Sequence, residues 1–161
     1  MEFSFDIRGY LKPYGKNKIT IEQLETEFVA PFDEPSTRHQ LYTGYIHYNK
    51  NLKELLKNQK YTQWIDGSFI SNKINPKDID LVNLIDSDLV DQHEKELKQF
   101  LNHQGKENYG VDGYVVRIYP EEHAKYIRTQ SDLLYWEHWF SKSRKNRRKQ
   151  RFPKGFVELE F

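Results

Sequence analysis

The sequence predicts an α+β (mixed α/β) fold, a small mixed sheet with flanking helices. Three observations predict it. Segments with apolar residues at three- and four-residue spacing read as helices. They are interspersed with short β-rich runs bounded by Gly, Asn-Pro and Asp. The chain has 161 residues, 37% of them hydrophobic and 15% aromatic, enough for one sizeable core.

In chain order, "TIEQLETEF" reads as a short helix with Thr20 as its cap and Gln23 three residues later. Pro31 and Pro35 mark a loop. From Ser36 a long helix is expected, with Leu41, Tyr45, Tyr48, Leu52, Leu55 and Leu56 forming a stripe that belongs to the core rather than to a cofactor site. "YTQWIDGSF" predicts a strand stopping at Gly67, and "DIDLVNLI" a second with Ile79 and Leu81 on one face. Asn75-Pro76 turns the chain between them. Asp86 or Ser87 caps a helix whose apolar side is Leu89, Leu97, Phe100 and Leu101. "NHQGKENYG" reads as a polar loop, and "VDGYVVRIY" as a third strand rich in Val and Tyr. "EEHAKYIRTQSDLLYWEHWF" is helical through much of its length, and "GFVELEF" is a last strand. With no internal repeat or low-complexity linker, residues 1–161 are expected to be a single domain, its core at about 61–119.

Composition removes several kinds of chemistry. Cysteine is absent, which excludes disulfides, thiolate metal sites and a Cys nucleophile. No apolar run approaches the roughly 18 residues of a membrane span, and the N-terminus does not read as a signal peptide. A cytoplasmic protein without a membrane partner is the expectation. The net charge of +1 hides an asymmetry: "KSRKNRRKQR", Lys142 to Arg151, holds seven basic residues and no acidic one. The rest carries 18 basic against 24 acidic residues, a body near −6. Arg147, Arg148 and Lys149 are its candidates for contact with an acceptor or polyanion; a solvated loop is the plainer alternative.

The chemistry concentrates in "WIDGSFISNKINPKDIDLV", Trp64 to Val82. Residues i and i+2 of a strand share a face, so Asp78 and Asp80 stand side by side. Two carboxylates so close repel unless a cation lies between them or one takes a proton. Oxygen ligands of this kind select Mg²⁺. Asp112 opens the third strand and reaches the same ion if that strand neighbours the second. Three carboxylates can hold two metal ions. Gly67 at a strand end lets the backbone approach an anion, and Ser68 offers a hydroxyl and free N–H groups. Lys73 and Lys77 are the cations nearest in sequence.

Gly-Ser, then Asp-x-Asp about ten residues on, then a lone Asp opening a later strand resembles the nucleotidyltransferase superfamily named for DNA polymerase beta, in its minimal single-domain bacterial form. The motif is met by Gly67, Ser68, Asp78, Asp80 and Asp112, over about Tyr61 to Tyr119. With "YWEHWF…PKGFVEL" the wider pattern looks similar to an uncharacterised bacterial family of such proteins. The resemblance implies a nucleotidyltransferase-like fold, two Mg²⁺ ions (Mn²⁺ as a substitute) and ATP or another NTP as donor. It also implies transfer of an NMP group to a hydroxyl acceptor on a protein or RNA. Asp78 and Asp80 would bind both ions, and Asp112 the catalytic ion. Gly67, Ser68 and Lys73 would serve the nucleotide. The alternative is a protein of the same fold that binds a partner, such as an antitoxin acting on a toxin, with or without catalysis.

Other readings fit less well. An aspartyl-phosphate phosphatase needs a buried strand before its first Asp, whereas Asn75-Pro76-Lys77 precede this one. A metal-dependent nuclease wants an acidic-x-Lys element, and position 82 is Val. The six His show no metal-ligand spacing, and no Gly-Lys-Ser/Thr loop or dinucleotide fingerprint occurs.

Overall fold

The computed structural model describes residues 2–33 and 35–161. The chain begins with a small antiparallel pair, β1 (Ser4–Phe5) and β2 (Leu11–Lys12), followed by β3 (Gly15–Lys18), α1 (Ile21–Phe28) and α2 (Thr37–Leu55). Next come β4 (Thr62–Asp66), one 3-10 turn (Ser68–Ile70) and β5 (Ile79–Asp86). Then α3 (Ser87–Gln92), α4 (Glu94–Leu97), a 3-10 turn (Lys98–Phe100) and α5 (Asn102–Tyr109) lead to β6 (Val111–Ile118). Finally α6 (Tyr126–Phe140) precedes β7 (Gly155–Glu160). The main sheet runs β3-β7-β4-β5-β6. Its outer pairs, β3 with β7 and β5 with β6, are parallel, and β7–β4 and β4–β5 are antiparallel. This is the mixed sheet with flanking helices of an α+β fold.

Local chemistry sets the helix starts. The Thr20 hydroxyl accepts from Gln23 N at 3.2 Å while Gln23 Oε1 accepts from Thr20 N at 2.9 Å, the reciprocal cap expected of α1. Ser36 caps α2, and Leu41, Tyr45, Tyr48 and Leu52 are buried along its inner stripe. Asp86 caps α3 by accepting from Asp88 N at 2.9 Å.

Two local expectations are corrected. The helix after Asp86 is not continuous but breaks into α3, α4 and a 3-10 turn, since its apolar residues suit short pieces wrapped over the sheet edge. Residues 102–109 are helix α5, not a loop. Their polarity hides any apolar stripe, and Gly105 in their midst lowers helix propensity. That glycine answers to packing: a Cβ there would lie 2.6 Å from the carbonyl oxygens of both Phe100 and Val111. Strand β3 carried no expectation: its sequence "GKNK" has no β pattern, and it is held by pairing with β7.

Strand alternation gives the sheet two unlike faces. One carries Ile65, Ile79, Leu81, Ile85, Val157 and Leu159 into the main core with α1 and α2. The other carries Trp64, Val82, Val116 and Phe156 into a smaller cluster covered by Phe140, Leu133 and Trp136 of α6. Asp66, Asp80 and Asp112 share this second face by the same alternation, because Asp66 lies opposite Asp80 and Asp80 opposite Asp112 in the strand register.

Candidate functional site

The register places one carboxylate on each of three adjacent strands, and Asp78 stands just before β5. Asp78, Asp80 and Asp112 offer carboxylate oxygens that all lie within 4.8 Å of one another. An all-oxygen donor set of this size suits a hard divalent cation.

Lys106, projecting from α5, occupies the same place as a cation would. Its ammonium lies 3.1 Å from Asp78 Oδ2 and 3.0 Å from Asp112 Oδ2. Hydrogen bonds to Asp112 and then Asp78 raise the Lys106 pKa, so this is a charged, fixed counterion. Asp80 receives no salt bridge among the described residues. Burial, followed by repulsion from Asp78, Asp66 and Asp112, pushes its carboxyl up to about 6.

Gly67 follows β4 with φ +78, in the left-handed region that side chains rarely adopt. A Cβ built there would fall 1.9 Å from Asp80 Oδ2. The glycine therefore lets the Asp80 carboxylate lie directly against the backbone. Ser68 begins a single 3-10 turn rather than a regular helix. Its carbonyl accepts from Ser71 Oγ at 2.7 Å, while its own hydroxyl has no partner among the described residues.

The loop from Ser68 to Lys73 is shaped from below by Arg38, which no feature of the sequence singled out. Arg38 is fully buried in α2, with no carboxylate partner among the described residues. Its guanidinium donates to the carbonyls of Phe28 and Phe69 at 2.7 Å each, Ser71 at 2.7 Å and Lys73 at 2.6 Å. Burial lowers its pKa to about 10, leaving it charged at neutral pH. A planar fork with five donors is suited to gathering such converging carbonyls. The long-helix pattern concealed Arg38, because an Arg at the start of an amphipathic helix ordinarily reads as surface.

Lys73 is not brought to the carboxylates. Its side chain is exposed, and among the described residues it forms no ion pair with Asp78, Asp80 or Asp112. Lys77 is exposed as well. The ammonium at the cluster is that of Lys106, which lies in the segment expected to be a loop.

Beside Gly67 and Asp80 opens a cleft of about 560 Å³. Asp66 lines it, nearly buried and paired with Lys154, the residue just before β7. Burial raises the Asp66 carboxyl pKa, opposed first by the Lys154 charge and more weakly by Arg144. The basic block is an ordered turn. Asn146 Oδ1 accepts from both Arg148 N and Gln150 N at 2.9 Å, and Ser143 N donates to Phe152 O at 2.8 Å. Arg147, Arg148 and Lys149 are exposed at its tip, whereas Lys142 and Arg144 at its root line the cleft with Lys154. The block was legible as positive charge. Which of its cations face inward depends on a turn whose geometry the charge pattern does not carry.

Fold and site together define an α+β protein with a carboxylate cluster at the edge of a mixed sheet and a cation-lined cleft beside it. The profile of a family of unknown function (DUF6932) matches residues 3–160, and the chain belongs to that family. No curated protein and no solved structure matches it.

Proposed function

We propose that the protein is a Mg²⁺-dependent nucleotidyltransferase that moves an NMP group from an NTP to a hydroxyl of a protein or RNA. The observation that carries this reading is the convergence of Asp78, Asp80 and Asp112, with oxygens within 4.8 Å, directly beside the side-chain-free backbone of Gly67. Asp78, Asp80 and Asp112 are the residues that would hold Mg²⁺ (or Mn²⁺), as one ion or two. Bound there, the metal supplies charge neutralisation for the triphosphate and acidifies the acceptor hydroxyl. Gly67 leaves room for a phosphate against the backbone, and the unpartnered Ser68 hydroxyl is a donor beside it. The acceptor hydroxyl gives its proton to Asp112. Its oxygen then bonds the α-phosphorus as the bond from that phosphorus to the bridging oxygen breaks, and pyrophosphate leaves with the electron pair.

One observation favours the second reading, partner binding without catalysis. Lys106 already neutralises part of the cluster, so the fold does not depend on a metal to relieve it. Thermal melting separates the two. A nucleotide at a hundredfold excess over its Kd adds about 2.7 kcal/mol to stability. The melting temperature should therefore rise with Mg²⁺ and one of the four NTPs together, and the rise should vanish in Asp78→Asn. No shift with any NTP would discard the nucleotidyltransferase reading. Incubation with each labelled NTP, Mg²⁺ and cell extract then reads the acceptor as a labelled protein or RNA band.

A further inference from the structure

The cleft beside Asp80 has a wall that the carboxylate motif does not explain. From α6 and β6 it presents the aromatic rings of Tyr114, Tyr135, Trp136 and Trp139. Tyr135 and Trp139 remain 55% and 40% exposed, an unusual state for rings this large. They are held in place from within. Trp136 packs on Tyr114 at 4.8 Å and on Phe140 at 5.4 Å, and Tyr135 meets both Trp136 and Trp139 edge-on. The Arg151 guanidinium stands 4.7 Å from the centre of the Trp139 ring, which strengthens that ring's hold on its position.

The remaining lining is charged and divided by sign. Asp66 and Asp80 lie on the sheet side, with Lys142, Arg144 and Lys154 from the turn and β7. A ligand for this cleft needs a flat ring to lie on exposed aromatics and anionic oxygens to meet Lys142 and Arg144. Its anionic end must also approach the carboxylates at Asp80, which repel an anion unless a cation such as Mg²⁺ lies between them. A nucleoside triphosphate has these parts in this order.

We infer that the α6 wall, chiefly Trp139 and Tyr135, is the platform on which the base of the donor nucleotide stacks, with Arg144 and Lys142 holding its phosphates. This deepens the proposed function and rests on it. Among the described residues the cleft is lined by no Asn, Gln, Ser or Thr, and its Lys and Arg cations are assigned to the phosphates, which leaves stacking as the main contact to the base. Stacking accepts any base, and larger rings stack over more surface. The site therefore sorts purine from pyrimidine and discriminates little between ATP and GTP.

The test is tryptophan fluorescence titration of the full chain with ATP, GTP, CTP, UTP and adenosine, each with Mg²⁺. Trp64 is buried and serves as a constant background. In the wild type, ATP and GTP should quench with similar Kd, and CTP and UTP more weakly. Trp139→Leu should weaken ATP and adenosine alike, on the order of tenfold, the scale of one lost base–aromatic stack. Arg144→Gln should weaken ATP and leave adenosine unchanged. Both positions are exposed, and unchanged melting without ligand verifies the fold. If the wild type binds ATP, and Asp80→Asn weakens it, but Trp139→Leu and Tyr135→Leu bind as the wild type does, this inference fails and the proposed function stands. If no NTP binds, both fall. If a single-stranded RNA quenches through Trp139 while free ATP does not, the wall serves a nucleic-acid strand and the inference is overturned.

Discussion

At the scale of single residues, the site is a set of conflicts resolved by close neighbours. Asp80 is the least compensated of the carboxylates, and its pKa is raised from 3.8 to about 6 by burial and then by like charges. A carboxyl raised on folding holds its proton more tightly in the folded chain. Its contribution is most favourable below 3.8 and is lost as pH rises through about 6. Asp80→Asn should therefore stabilise the metal-free protein at pH 7.5, by on the order of 2 kcal/mol, and flatten the melting profile between pH 4 and 7. The same change should abolish nucleotidyl transfer. Destabilisation by Asp80→Asn in urea titration would show that the charge is compensated by something other than Lys106. Gly67→Ala should do the reverse: its Cβ meets Asp80 Oδ2 and its φ is unfavourable, so both melting temperature and NTP-dependent shift should drop. Arg38→Met would orphan the carbonyls of Phe28, Phe69, Ser71 and Lys73. At about 1–3 kcal/mol each, the loss would consume much of a typical domain's stability, and urea unfolding would report it as a large drop in midpoint.

At the scale of elements, the helix α5 governs the cluster's charge. It carries Lys106 to Asp78 and Asp112, and it can sit so close to β6 because Gly105 has no side chain. Lys106→Met should lower the melting temperature without metal and enlarge the rise produced by Mg²⁺, since the ion then replaces a missing counterion. An unchanged response to Mg²⁺ would mean that the ammonium and the metal do not share the site. What the sequence revealed and concealed divides along the same lines. Asp78, Asp80 and Asp112 were legible because strand alternation and a parallel neighbour convert spacing into proximity. Gly67 was legible as a strand end, though its contact with Asp80 was not. Lys106 and α5 were hidden because a polar helix with a central glycine has no apolar period to read. Lys154, three residues beyond Arg151 at the end of the basic block, lay outside the stretch whose charge stood out. Arg144 lay inside it, indistinguishable from the tip residues until the Asn146 turn was known.

At the scale of the whole molecule, the sheet separates a face that carries the carboxylate cluster from a core that is not purely apolar. Gln63 and Asn83, paired across β4 and β5, point into the main core. Gln63 Nε2 donates to Asn49 Oδ1 at 2.8 Å and to Asn83 Oδ1 at 2.7 Å. Asn83 Nδ2 donates to Tyr48 OH at 2.8 Å, and Tyr45 OH to Gln63 Oε1 at 2.7 Å. The chain of amides and phenols ties α2 to the two strands that bear Gly67 and Asp80, with every named group satisfied. Asn83→Leu should cost about 1–3 kcal/mol by stranding the groups it serves, measurable as a lowered urea midpoint with unchanged m-value. Among the described residues no helix is long and apolar enough to cross a membrane.

The place of β7 has a consequence for how the chain reaches this state. It follows every other strand in sequence yet lies inside the sheet, between β3 and β4. The contact of Asn17 with Phe156 spans 139 residues, and closing a loop of that length costs about 4 kcal/mol of chain entropy. Strands β4, β5 and β6 can assemble around the carboxylates beforehand, but β3 has its place in the sheet only after β7 has docked. Lys154 and the root of the basic turn arrive with β7. The acidic half of the cleft thus belongs to strands that can pair without β7, whereas its cationic half is fixed only by the docking of β7.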